Sequence, residues 1–336
     1  MIDRPRVRQL GLGELLDESF RLYRNTFVVF VAIAALISIP YTIASTLLQI
    51  PMQQQLLDLQ RGAAVGAAPF GSPDPWDFIG GFVFYMLGTF GLSILYVVFF
   101  QPLMEGALAR AIAQRYLGQP VTLGDSFGTA LRRIGALIGA RLIPALIGFA
   151  IAGATIGVFV AIAFALISTT TNSDSGSSGA LGAVGAVVCS FGLIAILVIA
   201  SIFLTIRILF APQVVVVEER GPWQSIVRSW NLSNGHFWRL FGYLFIVGLI
   251  VVLISIILSI VFVFPGQIVF SDDPVMQVLL SGVASAITSV FVTPFSMIAY
   301  TLLYFDLRVR KEGFDLEQQA SALMPNQYPP YNAPSM

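Results

Sequence analysis

Few side chains in this chain can do chemistry. His236 is the single histidine and Cys189 the single cysteine. One cysteine excludes an internal disulfide and a cysteine-based metal cluster. One histidine excludes a two-histidine acid/base pair and a His-rich metal site. Cys189 sits within an apolar stretch and reads as a small packing residue. No HExxH, GxSxG or CxxC occurs, and Gly11–Gly13 lacks the GK[ST] ending of a phosphate loop. What remains is a sparse set of charged and aromatic groups: Arg141, Arg207, Glu218, Arg228, Trp230 and Asp306. Arginine forks onto carboxylates and phosphates alike, so this set suits an interaction surface, either a structural clasp or a lipid-phosphate site. Asp306 is expected to pair with Arg207 or Arg308. Arg141 and Arg207 are expected to snorkel toward headgroups. A lipid-headgroup enzyme would need Arg141, Glu218, Arg228 and His236 to converge. No catalytic, cofactor-binding or metal-binding residue is identifiable, and no enzyme activity is expected.

The elements that must position these groups follow from composition. The chain is 57% hydrophobic and 11% charged, with mean hydropathy +0.84, whereas soluble domains are about half apolar and about a quarter charged. A helix crosses the ~30 Å hydrocarbon core in about 20 residues. Six stretches reach that length: Phe27–Leu48, Phe78–Phe100, Leu142–Ile167, Gly182–Leu204, Phe241–Phe264 and Val278–Tyr304. The expected fold is an all-α, polytopic membrane bundle of six helices arranged as three hairpins. The first 25 residues are polar, and the apolar run after them is too long for a signal peptide. It reads as a retained span.

Direction comes from arginine. The N-terminal segment, the second-to-third and fourth-to-fifth connections and the C-terminus hold all but one of the 18 basic residues, the exception being Arg61. Cytoplasmic loops retain such residues, which predicts a multi-pass membrane protein with both termini cytoplasmic. Its parts are a cytoplasmic amphipathic segment at 1–25, a membrane domain at 26–305 and a tail at 306–336 that is disordered toward its end. The other side is acidic, with a surface loop expected at Pro51–Asp77 and a polar turn at Ser168–Gly179. Asn231-Leu-Ser233 matches a glycosylation sequon but falls on the cytoplasmic side. Formal net charge is zero, so a nucleic-acid partner has no electrostatic support.

Each hairpin is preceded by an amphipathic segment. In the first, Leu12, Leu16, Phe20, Tyr23 and Phe27 share one side; in the third, Trp223, Ile226, Val227 and Trp230 do. Pro222 suits a helix start and Gly235 its stop. Small residues hold membrane helices together. Gly153/Gly157, Gly182/Ala186/Ser190 and Ser281/Ser285/Ser289 therefore predict a centre made of spans three, four and six. Span five, rich in Ile, Leu and Val, should face lipid, and Pro40 and Pro294 should kink their spans.

Three stretches carry a family likeness: GELLDESFRLYRNTF, PQVVVVEERGPWQSIVRSWNLSNGHFWRL and LLYFDLRVRKEGFDLE. They resemble the membrane domain fused to some bacterial and archaeal glycerophosphoryl diester phosphodiesterases, which also occurs alone. The likeness covers residues 10–318, and the run from Glu218 to Trp230 is its most telling part. The resemblance implies a six-helix domain in a bacterial-type plasma membrane and carries no activity of its own. The catalytic barrel of fused members uses histidines and acidic metal ligands. The chain ends soon after its last span, so that barrel is expected to be absent and no catalytic residue carries across. The expected function is a non-catalytic scaffold that docks a cytoplasmic or membrane protein or organises membrane lipids, with no cofactor. A transporter or channel for a small or lipid-like solute is the alternative.

Overall fold

The computed structural model describes residues 8–64, 75–171, 177–271 and 273–314, and the side chains of these except at 58–64, 75–78, 152, 159–171 and 177–190. Regular structure among the described residues is entirely helical. In chain order it comprises α1 (Leu12–Asn25), α2 (Phe27–Ala64), α3 (Pro75–Leu95), a π-helical turn (Tyr96–Phe100), α4 (Gln101–Tyr116), α5 (Leu123–Arg132), α6 (Ile134–Thr171) and α7 (Ser177–Ile208). There follow α8 (Ala211–Val217), α9 (Pro222–Ser233), α10 (Phe237–Phe262), α11 (Phe264–Val269) and α12 (Pro274–Glu312). Six segments are long and apolar enough to cross a membrane: Phe27–Leu57, Ile79–Tyr116, Ile134–Val158, Phe191–Val217, Phe237–Val269 and Pro274–Glu312. The chain is an all-α, multi-pass membrane protein. Helices suit this setting because every backbone donor is satisfied within the segment. Hydroxyls are satisfied the same way: Thr42 donates to the Ser38 carbonyl at 2.8 Å, and Ser255 to that of Val251 at 2.8 Å.

The helices pair as α2 with α3, α6 with α7, and α10 with α12. Each pair follows an amphipathic helix: α1, α5 or α9. The Glu14 carboxylate accepts from the Gly11 N–H at 2.7 Å and from Arg8 at 2.8 Å. The Gly11 bond, then the Arg8 charge, hold that carboxyl below its usual range. Thr122 caps α5, accepting from Asp125 N–H. Pro222 opens α9, and Gly235 follows its end at φ +82°.

The most deeply buried positions of these helices include small polar residues beside the large-residue stripes. In α1 it is Leu15, Ser19 and Leu22 that are buried, while Phe20 is exposed. In α9 it is Ser225, Ile226, Ser229, Leu232 and Ser233, with Trp223 and Trp230 outward. Serine permits close approach and also supplies a bond. Ser229 Oγ accepts from Phe210 N–H at 3.1 Å and donates to the Arg207 carbonyl at 2.8 Å, which satisfies the α7–α8 break. Ser19 donates to the Leu15 carbonyl at 2.7 Å and lies 3.2 Å from Tyr243 Oη of α10.

Among the described residues α12, the sixth span, packs closely against α2 rather than against spans three and four. A Cβ on Gly282 would collide with Thr46, and Ser289 Oγ donates to Ser38 Oγ at 3.0 Å. Gly153 and Gly157 instead face open space, because a GxxxG stripe drives packing only where a partner backbone reaches it. The side chains of Gly182, Ala186 and Ser190, like that of Cys189, lie outside the described ones. Ser285 is exposed. Span five is largely outward, as expected: only Leu240, Tyr243 and Val247 of α10 are buried.

Helix ends also differ from the sequence reading. α2 runs through Pro51 to Ala64 where a loop was expected. Proline forfeits a single bond, while the Gln- and Leu-rich residues after it are good helix formers. α6 reaches Thr171 and α7 begins at Ser177, which shortens the expected polar turn. The tail beyond residue 314 lies outside the described residues.

α12 has 39 residues, about 58 Å at ~1.5 Å per residue, against ~30 Å of hydrocarbon. Its C-terminal half, with α4 and α8, is buried in a packed layer at the arginine-rich end. Ala107, Ala109, Ala111 and Ala113 let α4 pack closely all round. Burial is thus dense at the basic end and sparse along the spans.

Candidate functional site

Among the charged groups of the basic layer, two networks are closed and one pair is open to a cavity, while Arg110 with Asp125 and Arg133 with Glu219 form separate surface pairs. In the first network Asp306, whose side chain is 0% exposed, accepts from Arg239 Nη2 and Arg310 Nε, each at 2.9 Å, and from the Leu10 N–H at 2.9 Å. Both arginines also donate to the Leu10 carbonyl, at 2.6 and 2.8 Å. The expected partners, Arg207 and Arg308, are not the ones found. Residues 306 and 310 share a helix face, while residue 308 is turned about 200° away. Asp306 thereby ties the entry of α1, the start of α10 and the end of α12 together.

The second network centres on Glu218, 8% exposed. It accepts from Tyr304 Oη at 2.8 Å, from Arg228 Nε at 3.0 Å and from Arg220 Nε at 2.9 Å, with Arg308 at 3.8 Å. Arg228 also donates to Glu312 at 2.7 Å. Burial alone would lower the Arg228 pKa; the Glu312 hydrogen bond and the charges of Glu218 and Glu312 outweigh it and hold the guanidinium above its ordinary value. Arg308 stands 4.1 Å from the Phe314 ring centroid. Every member has its partner, so this network is a clasp.

Glu218 and Arg228 therefore meet, but His236 and Arg141 do not join them. His236 Nδ1 lies 3.4 Å from the Asn234 carbonyl at the start of α10. Arg207 sits 5.0 Å from the ring centroids of both Phe203 and Trp230, donates to Asn234 Oδ1 at 3.3 Å, and has no carboxylate partner among the described residues. Trp223 of α9 and Trp238 of α10 are exposed, in the manner of aromatic residues at a membrane interface.

Arg141 belongs to the open pair. It lies 3.4 Å from Glu105, with exposures of 36% and 12%. The pair lines a half-open cavity of about 650 Å³ walled by the π-turn, α4, α6, the α7–α8 junction and α12. Gln101, one turn before Glu105, donates to its carboxylate at 2.9 Å. Tyr300, Thr205 and Gln213 add polar groups, and Pro144, Ala145, Gly148, Phe149 and Met297 an apolar wall. π-turns often mark functional sites because they re-aim the residues that follow. Here the turn ends directly before Gln101. Sequence reasoning missed Glu105 because it falls just past the apolar run ending at Phe100. The available signal was Gln101 and Glu105 at i,i+4 beside Pro102. Among the described residues no group of acidic residues, histidine or cysteine is arranged to hold a metal.

The sequence profile of a domain of unknown function (DUF7847) matches residues 119–306, more than half of the chain. The chain belongs to that family. The matched stretch runs from the entry of α5 to Asp306 and includes Arg141, the α8 wall and Tyr300, while Glu105 lies before it. No curated protein and no solved structure matches the chain.

Proposed function

We propose that this member of the DUF7847 family is a non-catalytic membrane domain that holds a lipid-like amphiphile at the boundary between its spans and its basic layer. The observation that carries this reading is the cavity: an apolar wall meets an open ion pair where the packed layer joins the bilayer-length helices. Cavities with a mostly apolar lining and a few convergent polar groups are the usual form of small-ligand sites. The carboxylates of Asp306 and Glu218 are engaged in closed networks, which leaves the Glu105–Arg141 pair as the charged group facing the cavity. Arginine bias supports placing the basic layer and both termini on the cytoplasmic side, and the family likeness supports a bacterial-type plasma membrane. The likeness to the glycerophosphoryl diester phosphodiesterase membrane domain supports a lipid setting.

The test is purification of the full chain from its native membrane, with bound lipids and proteins identified by mass spectrometry. Gly148 lines the cavity and has open space where a side chain would project, so Gly148→Trp should fill the cavity without disturbing a neighbour. Lipid retained by the native chain and lost from Gly148→Trp supports the reading; equal retention, or none by either, refutes it. A stoichiometric protein partner with no lipid would favour a docking scaffold. The π-turn and Pro144 in the cavity wall support a second reading, transport of such an amphiphile, and its absence from both leaflets in a flux assay with reconstituted liposomes would count against it.

A further inference from the structure

The cavity's two charges differ in how much of their bonding capacity is used. Arg141 has five donors, yet its one polar contact among the described residues is the 3.4 Å approach to Glu105. That is a loose, single contact; strong guanidinium–carboxylate pairs are about 2.7–2.9 Å and two-pronged. Glu105 is more buried, accepts from Gln101 and has Arg141 as an ion-pair neighbour. A carboxylate offers about four lone-pair sites, so acceptor capacity remains. The pair is neutral as a whole, sits in a largely apolar wall, and has exposed Phe149 at its outer side.

We infer, building on the lipid-binding reading above, that the cavity selects a phosphodiester carrying a primary ammonium, with its phosphate on Arg141 and its ammonium on Glu105. A guanidinium matches phosphate with two parallel donors. An ammonium supplies the N–H donors that the remaining Glu105 lone pairs lack. The ligand's own neutrality matters as much. An anionic headgroup of the glycerol type would place an extra negative charge beside the nearly buried Glu105, which low-dielectric surroundings penalise. A trimethylated headgroup keeps the charge but loses every N–H donor. The order expected is therefore ethanolamine-type ahead of both choline-type and glycerol-type phosphodiesters. The same chemistry is available from a membrane lipid or from the soluble deacylated headgroup.

The experiment measures retention of matched-acyl phosphatidylethanolamine, phosphatidylcholine and phosphatidylglycerol by the purified full chain, with glycerophosphoethanolamine as a soluble competitor. The native chain should prefer the ethanolamine lipid by about tenfold, the scale of one charge-assisted hydrogen bond. Glu105→Gln should reduce that preference to within about twofold while retaining lipid, and Arg141→Gln should weaken all three. Equal retention of the three lipids by the native chain, lost on Gly148→Trp, would overturn the headgroup inference and leave the lipid reading standing. No Gly148-dependent retention of any lipid would overturn both. Competition by glycerophosphoethanolamine at the lipid's own concentration would support the zwitterion chemistry and assign it to the soluble source. The native ranking decides the matter even if a variant fails to accumulate.

Discussion

Replacing Asp306 should unfasten the basic layer from its N-terminal edge. Asp306 is fully buried and joins three elements by two arginine contacts at 2.9 Å and a backbone bond from Leu10 at 2.9 Å. Asp306→Ala leaves Arg239 and Arg310, about a quarter exposed each, facing a void with no countercharge. Breaking a buried pair on one side costs about 3–5 kcal/mol. Asp306→Asn keeps an acceptor for Leu10 but turns two charge-assisted bonds into neutral ones. At about 1 kcal/mol lost per bond, it should cost about 2 kcal/mol. The assay is thermal unfolding of the full chain in detergent, together with limited proteolysis of the segment preceding α1. The Ala variant should unfold at least about 5 °C lower and be cut before α1 much faster than the native chain, with Asn intermediate. An Ala variant with native melting and native cleavage would refute the view that this carboxylate holds the layer together.

Gly282→Leu should be destabilising by about 1–3 kcal/mol because its side chain would meet Thr46 across the α2–α12 contact, while Gly153→Leu and Gly157→Leu, which face open space, should leave the melting temperature unchanged; detergent melts of the three separate these cases. Burial pushes the Tyr23 hydroxyl up to about 12, and it donates to the Phe291 carbonyl at 3.0 Å. The phenol ionises near 10 in the unfolded chain, so its contribution is intact below pH 10 and is lost as pH rises from 10 toward 12; Tyr23→Phe should flatten that part of a stability–pH curve. Reporter fusions at Gly221 and at residue 175 should report opposite compartments, with Gly221 on the cytoplasmic side, and a shared compartment would reverse the arginine-based topology.

The six spans and the helix preceding each hairpin were legible because hydrocarbon length and arginine placement are one-dimensional signals. Their packing was not. GxxxG at Gly153 and Gly157 has the right spacing for a helix contact, yet spacing says nothing about which face a partner meets, and among the described residues no atom comes within 4 Å of a Cβ built at either glycine. Gly282, outside any GxxxG, is a glycine that meets α2, as Gly81 and Gly88 of α3 also do. The amphipathic helices showed which residues share a side but not what that side meets, because an arginine-rich layer against a membrane offers two apolar environments, protein and lipid. The tryptophans of α9 face outward, and the serines take the protein side, where close approach and unsatisfied carbonyls favour small hydroxyls. Asp306 and Glu218 were recognisable as residues of consequence, but their partners depend on helix phase across elements far apart in sequence.

The position of the cavity follows from the same division. Along the spans, side chains meet lipid and helices need few contacts; in the basic layer α4, α8 and the end of α12 are packed on all sides. A helix crossing from one regime to the other must change neighbours over about one turn. α3 does so through the π-turn at Tyr96–Phe100, α6 through Pro144, and α7 by ending at Ile208 and restarting as α8. Three such transitions lie around one point, and none fills the space between them. The gap is lined by what each helix carries at its crossing: apolar residues from the membrane side, and Glu105 and Arg141 from the basic side. An amphiphile has the same polarity order along its own length. The site is thus a consequence of bilayer-length helices continuing into a tightly packed layer, and enlarging Gly148 alters the ligand's space without altering the crossing that creates it.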